Sequence, residues 1–143
     1  MAIHQISVFV ENKTGALAGI TDTLAQAGVD IRAMSIADTQ DFGILRMIVD
    51  DWQKADAALK KSGCIYSVTP VIAAAIKDRP GGLSYILQLL TENHISLEYL
   101  YAFIAVSGRE AFVALRVDDN ARTEEILAAH NVPILAENEV TEL

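Results

Sequence analysis

One seven-residue stretch occurs twice in this chain, and no other feature constrains its fold as tightly. It reads Glu11-Asn12-Lys13-Thr14-Gly15-Ala16-Leu17 near the start and Lys77-Asp78-Arg79-Pro80-Gly81-Gly82-Leu83 in the middle, with Gly81 falling 66 positions after Gly15 (81 − 15). In both copies an apolar run precedes the stretch and a helical period follows it, so each copy sits on a strand-to-helix turn. The chain is therefore a tandem repeat, dividing into units 1–68 and 69–143. A unit of that size buries only about 60% of the surface its unfolded chain exposes. The two are expected to pack on each other and on a second copy of the chain.

The order of elements follows from the periods. Ile3 to Val10 alternates, with Ile6, Val8 and Val10 on one face and Gln5, Ser7 and Phe9 on the other, as in a half-buried strand. After the first turn, Leu17, Ile20, Leu24 and Ala27 recur at steps of three and four, and Gly28 supplies a left-handed cap. Val29 to Ala37 and Ile44 to Val49 predict a hairpin around Asp38 to Gly43. Asp50-Asp51 opens a second helix to about Lys61, with Ala55, Ala58 and Leu59 inward and Gly63 ending it, and Ile65 to Val68 closes the unit.

The second unit repeats this order after Thr69 and Pro70. A strand over Val71 to Ile76 leads to a helix in which Leu83, Ile86 and Leu90 match Leu17, Ile20 and Leu24, with Asn93 or His94 in place of the Gly28 cap. Ser96 to Val106 and Ala111 to Val117 form a hairpin around Ser107-Gly108-Arg109-Glu110. A helix after Asp118-Asp119 carries Ile126 and Leu127, and Val132 to Ala136 closes the sheet before an acidic end with Glu137, Glu139 and Glu142. The predicted class is α+β, with tandem ferredoxin-like β-α-β-β-α-β units whose antiparallel sheets pack side by side.

Composition narrows the function. Hydrophobic residues make up 52% and charged residues 21% of the chain, a globular balance. The formal charge of −8, with Lys and Arg scattered, opposes nucleic-acid binding, which needs a clustered basic footprint. The longest apolar run, Val71 to Ile76, is too short to span a bilayer, and the N-terminus lacks the pattern of a secretory signal, so a cytoplasmic location is expected. A single cysteine, Cys64, excludes an internal disulfide and is expected to be a buried, inert thiol. His4, His94 and His130 have no metal-ligand spacing. No nucleophile elbow, phosphate loop or dinucleotide fingerprint is present, so neither catalytic residues, cofactor nor metal is expected.

The repeated turn has two readings. A glycine there meets a backbone geometry that other residues resist, and Pro80 suits a first helical position. Absence of a Cβ at Gly15, Gly81 and Gly82 also lets a ligand approach the backbone, where the unpaired N–H groups of a helix start attract a carboxylate. Asn12 and Asp78 offer side-chain oxygens that could accept from an ammonium group, or could cap the helix. The pairs Asp50-Asp51 and Asp118-Asp119 are read as helix caps. Tyr99, Tyr101 and Phe103 alternate on one strand face, as packing residues or as a wall for a ligand side chain.

At these turns the sequence resembles the ACT domain family, small ferredoxin-like modules that sense amino acids. Asn12-Lys13-Thr14-Gly15-Ala16-Leu17 and Asp78-Arg79-Pro80-Gly81-Gly82-Leu83 are similar to that family's Asn/Asp-x-Pro-Gly-x-Leu turn, and the resemblance covers nearly the whole chain in two copies. It implies a ligand held at the interface of two ACT units, by the strand-to-helix turn of one and the second strand of the other. The implied contacts are Asn12, Gly15, Ala16 and Leu17, with Asp78, Pro80, Gly81, Gly82 and Leu83; residues 33–36 and 99–101 are secondary candidates. Thr14 departs from the pattern where the second copy has Pro80, leaving the first turn less rigid. The stretch Ile6 to Lys13 also resembles the opening of the acetohydroxyacid synthase regulatory subunit.

The resulting expectation is a non-catalytic sensor of a free L-amino acid, a homodimer that regulates amino-acid metabolism. The alternative is a regulatory subunit partnered with an amino-acid biosynthetic enzyme.

Overall fold

The computed structural model describes residues 2–38, 40–104 and 111–143. Along the chain run β1 (Ile3–Glu11), α1 (Ala16–Gln26), β2 (Ile31–Asp38), β3 (Phe42–Val49), α2 (Trp52–Ser62) and β4 (Tyr66–Ile76). They are followed by α3 (Gly82–Glu92), β5 (Leu97–Ala102), β6 (Ala111–Val117), α4 (Asn120–Ala129) and α5 (Glu137–Thr141). The chain forms two compact units, one made of His4–Thr69 with Val140–Leu143, the other of Pro70–Glu139 with the residues up to Ile3. The first follows the β-α-β-β-α-β order of a ferredoxin-like α+β unit, and the second repeats it with its last strand reduced to a bridge. Among the described residues no helix is long and apolar enough to cross a membrane.

In the first unit β1 and β2 flank β3, both antiparallel to it, with Val8 opposite Leu45 and Ile36 opposite Leu45 from the other side. The alternation of β1 places Ile6, Val8 and Val10 in a core shared with Leu45, Met47 and Val49, and with Ile20 and Leu24 of α1 and Ala55 and Leu59 of α2. Gln5, expected on the polar face, is fully buried, and its Nε2 donates to Ser7 Oγ at 3.3 Å. Helix α1 ends as its sequence predicts: Gly28 adopts φ 74°, and the Val29 N–H reaches back to the Leu24 carbonyl at 3.0 Å, as in a Schellman turn. Cys64 is half-buried rather than buried, with Sγ 3.0 Å from Ser62 Oγ.

In the second unit β6 lies between β4 and β5, antiparallel to both. Ile72 and Ala74 of β4, Val113, Leu115 and Val117 of β6, Ile86 and Leu90 of α3 and Leu127 of α4 make its core. His94 (φ 58°) and Asn131 (φ 57°) take the left-handed positions that Gly28 and Gly63 (φ 80°) occupy in the first unit. Tyr101 and Phe103 are buried and Tyr99 is half-buried, after an irregularity in the register between Leu97 and Tyr99.

Two strand expectations also change. Ile65 to Val68 and Val71 to Ile76 are not two strands broken at Thr69-Pro70; β4 runs unbroken from Tyr66 to Ile76. Proline removes a donor but its fixed φ is compatible with extended backbone, and the Pro70 carbonyl here accepts from Asn120 Nδ2 at 3.3 Å. The closing strand over 132–136 is reduced to one bridge, Ala74 to Ile134, in which Ala75 N–H donates to Pro133 O and Leu135 N–H to Ala73 O, each at 2.9 Å. Pro133 has no N–H with which to extend the ladder. The acidic end is helix α5, whose start is closed by Glu139 Oε1 accepting from the Ala136 N–H at 2.9 Å. The turn expected at Ser107 to Glu110, and the strand end expected at Ala105 and Val106, lie outside the described residues.

Candidate functional site

The two repeated turns have the same backbone. Gly15 has φ 87° and ψ −10°, Gly81 φ 87° and ψ −7°, and each is the left-handed residue immediately before its helix. In the first, Lys13 N–H donates to Glu11 O at 2.9 Å, Ala16 N–H to Lys13 O at 3.2 Å and Gly19 N–H to Gly15 O at 2.9 Å. In the second, Arg79 N–H donates to Lys77 O at 2.8 Å, Gly82 N–H to Arg79 O at 3.0 Å and Tyr85 N–H to Gly81 O at 3.0 Å. A left-handed residue at this point costs an L side chain about 1–2 kcal/mol, which is why glycine recurs there.

Neither α1 nor α3 is capped by a side chain, whereas α2 and α4 are capped by Asp51 and Asp119, which accept from Lys54 N–H at 3.2 Å and Arg122 N–H at 3.0 Å. Asn12 and Asp78 therefore do not act as caps. Asn12 instead ties its turn to the β2–β3 connection, donating Nδ2 to Gln40 O at 3.1 Å and its N–H to Asp41 O at 2.9 Å. The paired acids each divide their work. Asp50 and Asp118 accept from the N–H groups of Asp30 and Ser96, at 2.9 and 3.1 Å, while their neighbours cap the helices.

Of the three turn glycines, Gly15 and Gly81 face open space, where an added Cβ meets no atom within 4 Å. Gly82 is different: it is buried, and a Cβ there would overlap the Lys77 carbonyl oxygen. Close packing of the α3 start against the end of β4 therefore excludes a Cβ at this position. The equivalent Ala16 is half-buried, as are Leu17 and Leu83, and Ala16 and Leu17 pack against the core of their unit; Asn12, Asp78 and Pro80 are exposed.

A cleft of about 430 Å³ opens beside the second turn. It is lined by residues 75–77 at the end of β4, 79–82 in the turn, Tyr85 and Ile86 of α3, and 130–133 after α4. It thus brings together Pro80, Gly81 and Gly82 from the sequence-derived set. Asp78 and Leu83 do not line it, and neither do residues 33–36 or 99–101. Tyr85 and residues 130–133 were missed, since nothing in their spacing marks them; the αL-prone His130-Asn131 signals a helix end and no more. His130 Nδ1 lies 2.9 Å from Ile126 O, which suits an Nδ1–H donor. The lining includes the cations Lys77 and Arg79 and no carboxylate. Such a cleft can hold a small anion or zwitterion. Among the described residues no group of three or more His, Cys, Asp or Glu could hold a metal ion.

Comparison with known proteins agrees with this architecture. The family described as an ACT domain pair matches residues 1–143. A structurally characterised protein of Bacteroides thetaiotaomicron is 34% identical, with a TM-score of 0.92, over 100% of this chain and 98% of that one. The regulatory subunit of aspartate kinase from Thermus thermophilus, in its ligand-free form, is 18% identical with a TM-score of 0.64, over 90% and 89% of the two chains. That from Thermus flavus is 18% identical with a TM-score of 0.61, over 92% of each. No curated protein matches the chain. The duplicated turn, the paired β-α-β-β-α-β units and a family match over the full length lead to one conclusion: this chain belongs to the ACT domain pair family.

Proposed function

We propose that this protein is a non-catalytic sensor that binds a free L-amino acid and regulates amino-acid metabolism in the cytoplasm. The observation that carries this reading is the cleft beside the second turn, where an uncapped, left-handed helix start meets two basic side chains. The α-carboxylate sits against Gly81 and the first turn of α3, where the Gly82 N–H is taken by Arg79 O and the N–H groups of Leu83 and Ser84 precede the first intrahelical bond, from Tyr85 N–H to Gly81 O. Acceptors for the ammonium group are available on Asn131 and Tyr85, which line the same cleft. Gly15, with its matching backbone, Asn12, Ala16 and Leu17 form a second, related position. Charge-assisted bonds of about 1.5–3 kcal/mol each, less the cost of immobilising the ligand, correspond to micromolar to millimolar affinity.

The active form in this reading is a homodimer, with ligand bound where ACT units meet. Exposed Phe9, Phe42 and Ile44 support it: register pairs Phe9 with Ile44 and Glu11 with Phe42 on one sheet face, and the Phe9 and Phe42 rings lie 4.7 Å apart. Apolar side chains gathered in this way mark interaction surfaces. Ligand that touches both partners stabilises the arrangement in which they meet, and so biases whatever recognises it.

Thermal unfolding against a panel of free amino acids tests the reading. Ligand at about a hundred times its Kd adds roughly 2.7 kcal/mol, expected to raise Tm by about 5–10 °C. Gly81→Asn, which tolerates the left-handed backbone while adding a side chain, is expected to abolish the shift. A folded variant that responds as wild type does would move the site elsewhere. A second reading, a regulatory subunit of a biosynthetic enzyme such as acetohydroxyacid synthase, is favoured by the resemblance of Ile6 to Lys13; stable association with a catalytic chain would select it.

A further inference from the structure

The two turns share a backbone but differ in charge. Lys77 and Arg79 occupy the positions that Glu11 and Lys13 hold 66 residues earlier. In the first turn the cation is neutralised within the turn itself, Lys13 Nζ lying 3.1 Å from Glu11 Oε2. In the second both positions are basic, and among the described residues neither Lys77 nor Arg79 has an ion-pair partner. Both line the cleft, which contains no Asp or Glu among its lining residues. The chain as a whole has 19 acidic and 11 basic residues, so a wall with two unpaired cations and no acid runs against its overall balance.

A single α-carboxylate is already served by the backbone donors of a helix start. Two further cations leave the cleft with positive charge that a neutral amino acid does not answer. Resting on the amino-acid-sensing reading above, we propose that the second-turn cleft selects an L-amino acid with a second carboxylate in its side chain, and that the first turn, with its internal ion pair, lacks this preference. Lys77 and Arg79 are the specificity-determining residues. Asp78 lies between them in sequence and is absent from the lining, so the segment Lys77-Asp78-Arg79 keeps a net positive charge.

The test compares L-aspartate with L-asparagine and L-glutamate with L-glutamine, pairs of near-equal shape that differ in one charge. Calorimetric titration of the full chain at low salt is expected to favour one acid over its amide by about tenfold or more, a margin that narrows as salt is raised. Lys77→Glu recreates the charge pattern of the first turn and is expected to erase that margin while the variant retains the wild-type Tm. Lys77→Arg, which keeps the charge, is expected to preserve it. Equal affinity for acid and amide, or a margin that survives Lys77→Glu, would overturn the proposal. If only neutral amino acids bind, the charge inference fails and the sensor reading stands. If succinate binds as tightly as L-aspartate, the second carboxylate stands and amino-acid sensing fails.

Discussion

Gly81 and Gly82 are adjacent, and they are glycine for unrelated reasons. At Gly81, as at Gly15, the constraint is the left-handed φ of 87°, and the space around it is open. At Gly82 the constraint is the Lys77 backbone, which leaves no room for a methyl group. The two demands predict different costs. Gly81→Ala should lose about 1–2 kcal/mol, the usual penalty for a left-handed alanine. Gly82→Ala should lose more, about 3 kcal/mol, because the end of β4 or the start of α3 must move to relieve the overlap. Urea denaturation of both variants decides the ranking, and equal costs would contradict the packing role of Gly82. Sequence alone treats the two alike, since both lack a Cβ and both sit in a turn. What separates them is the carbonyl of a residue five positions earlier, brought back by the turn.

Helices and strands are joined by a small set of polar contacts that recur in both units. Asp50 and Asp118 hold the N–H groups just ahead of β2 and β5, and Asp51 and Asp119 start α2 and α4. The caps by Asp51 and Asp119 were legible from the sequence because an acid before an amphipathic run is local chemistry, whereas the contacts of Asp50 and Asp118, across 20 and 22 residues, were not. Nor was the link between Tyr66 of β4 and Asp56 of α2. The Tyr66 hydroxyl donates to Asp56 Oδ1 at 2.7 Å and also lies 3.0 Å from Asp56 O. The hydrogen bond to Asp56, with lesser contributions from burial and from the nearby Asp56 and Cys64 charges, raises the Tyr66 pKa above its ordinary 10.0. A group whose folded pKa lies above its unfolded value contributes stability fully present below the unfolded pKa and lost as pH rises through the folded one. The stability gap between wild type and Tyr66→Phe should therefore be constant through neutral pH and close above pH 10. Denaturant melts of both proteins across the alkaline range measure it, and a gap that persists at high pH would rule the latch out.

Over the whole chain, the ends do not stay with the halves they begin and finish. The residues up to Ile3 belong to the unit built from the second half, and Val140–Leu143 to the unit built from the first. In that first-half unit Val140 is buried, and Thr141 Oγ1 donates to Asp50 O at 2.8 Å. Deleting residues 140–143 should cost about 1–3 kcal/mol, from the lost valine burial and the lost hydrogen bond, and lower Tm by several degrees. A deletion variant that melts with wild type would show that the tail does not support the unit. The repeat, the turn geometry, the helix stripes and their caps could all be read from the amino-acid order, because each depends on residues within a turn or two of one another. Tertiary structure decided the rest: the passage of β4 through Pro70, the reduction of the last strand to a bridge, the return of the chain ends, and the meeting of residues 130–133 with the second turn. Those depend on atoms far apart in sequence, whose proximity is set by the packing of the core and not by any local period.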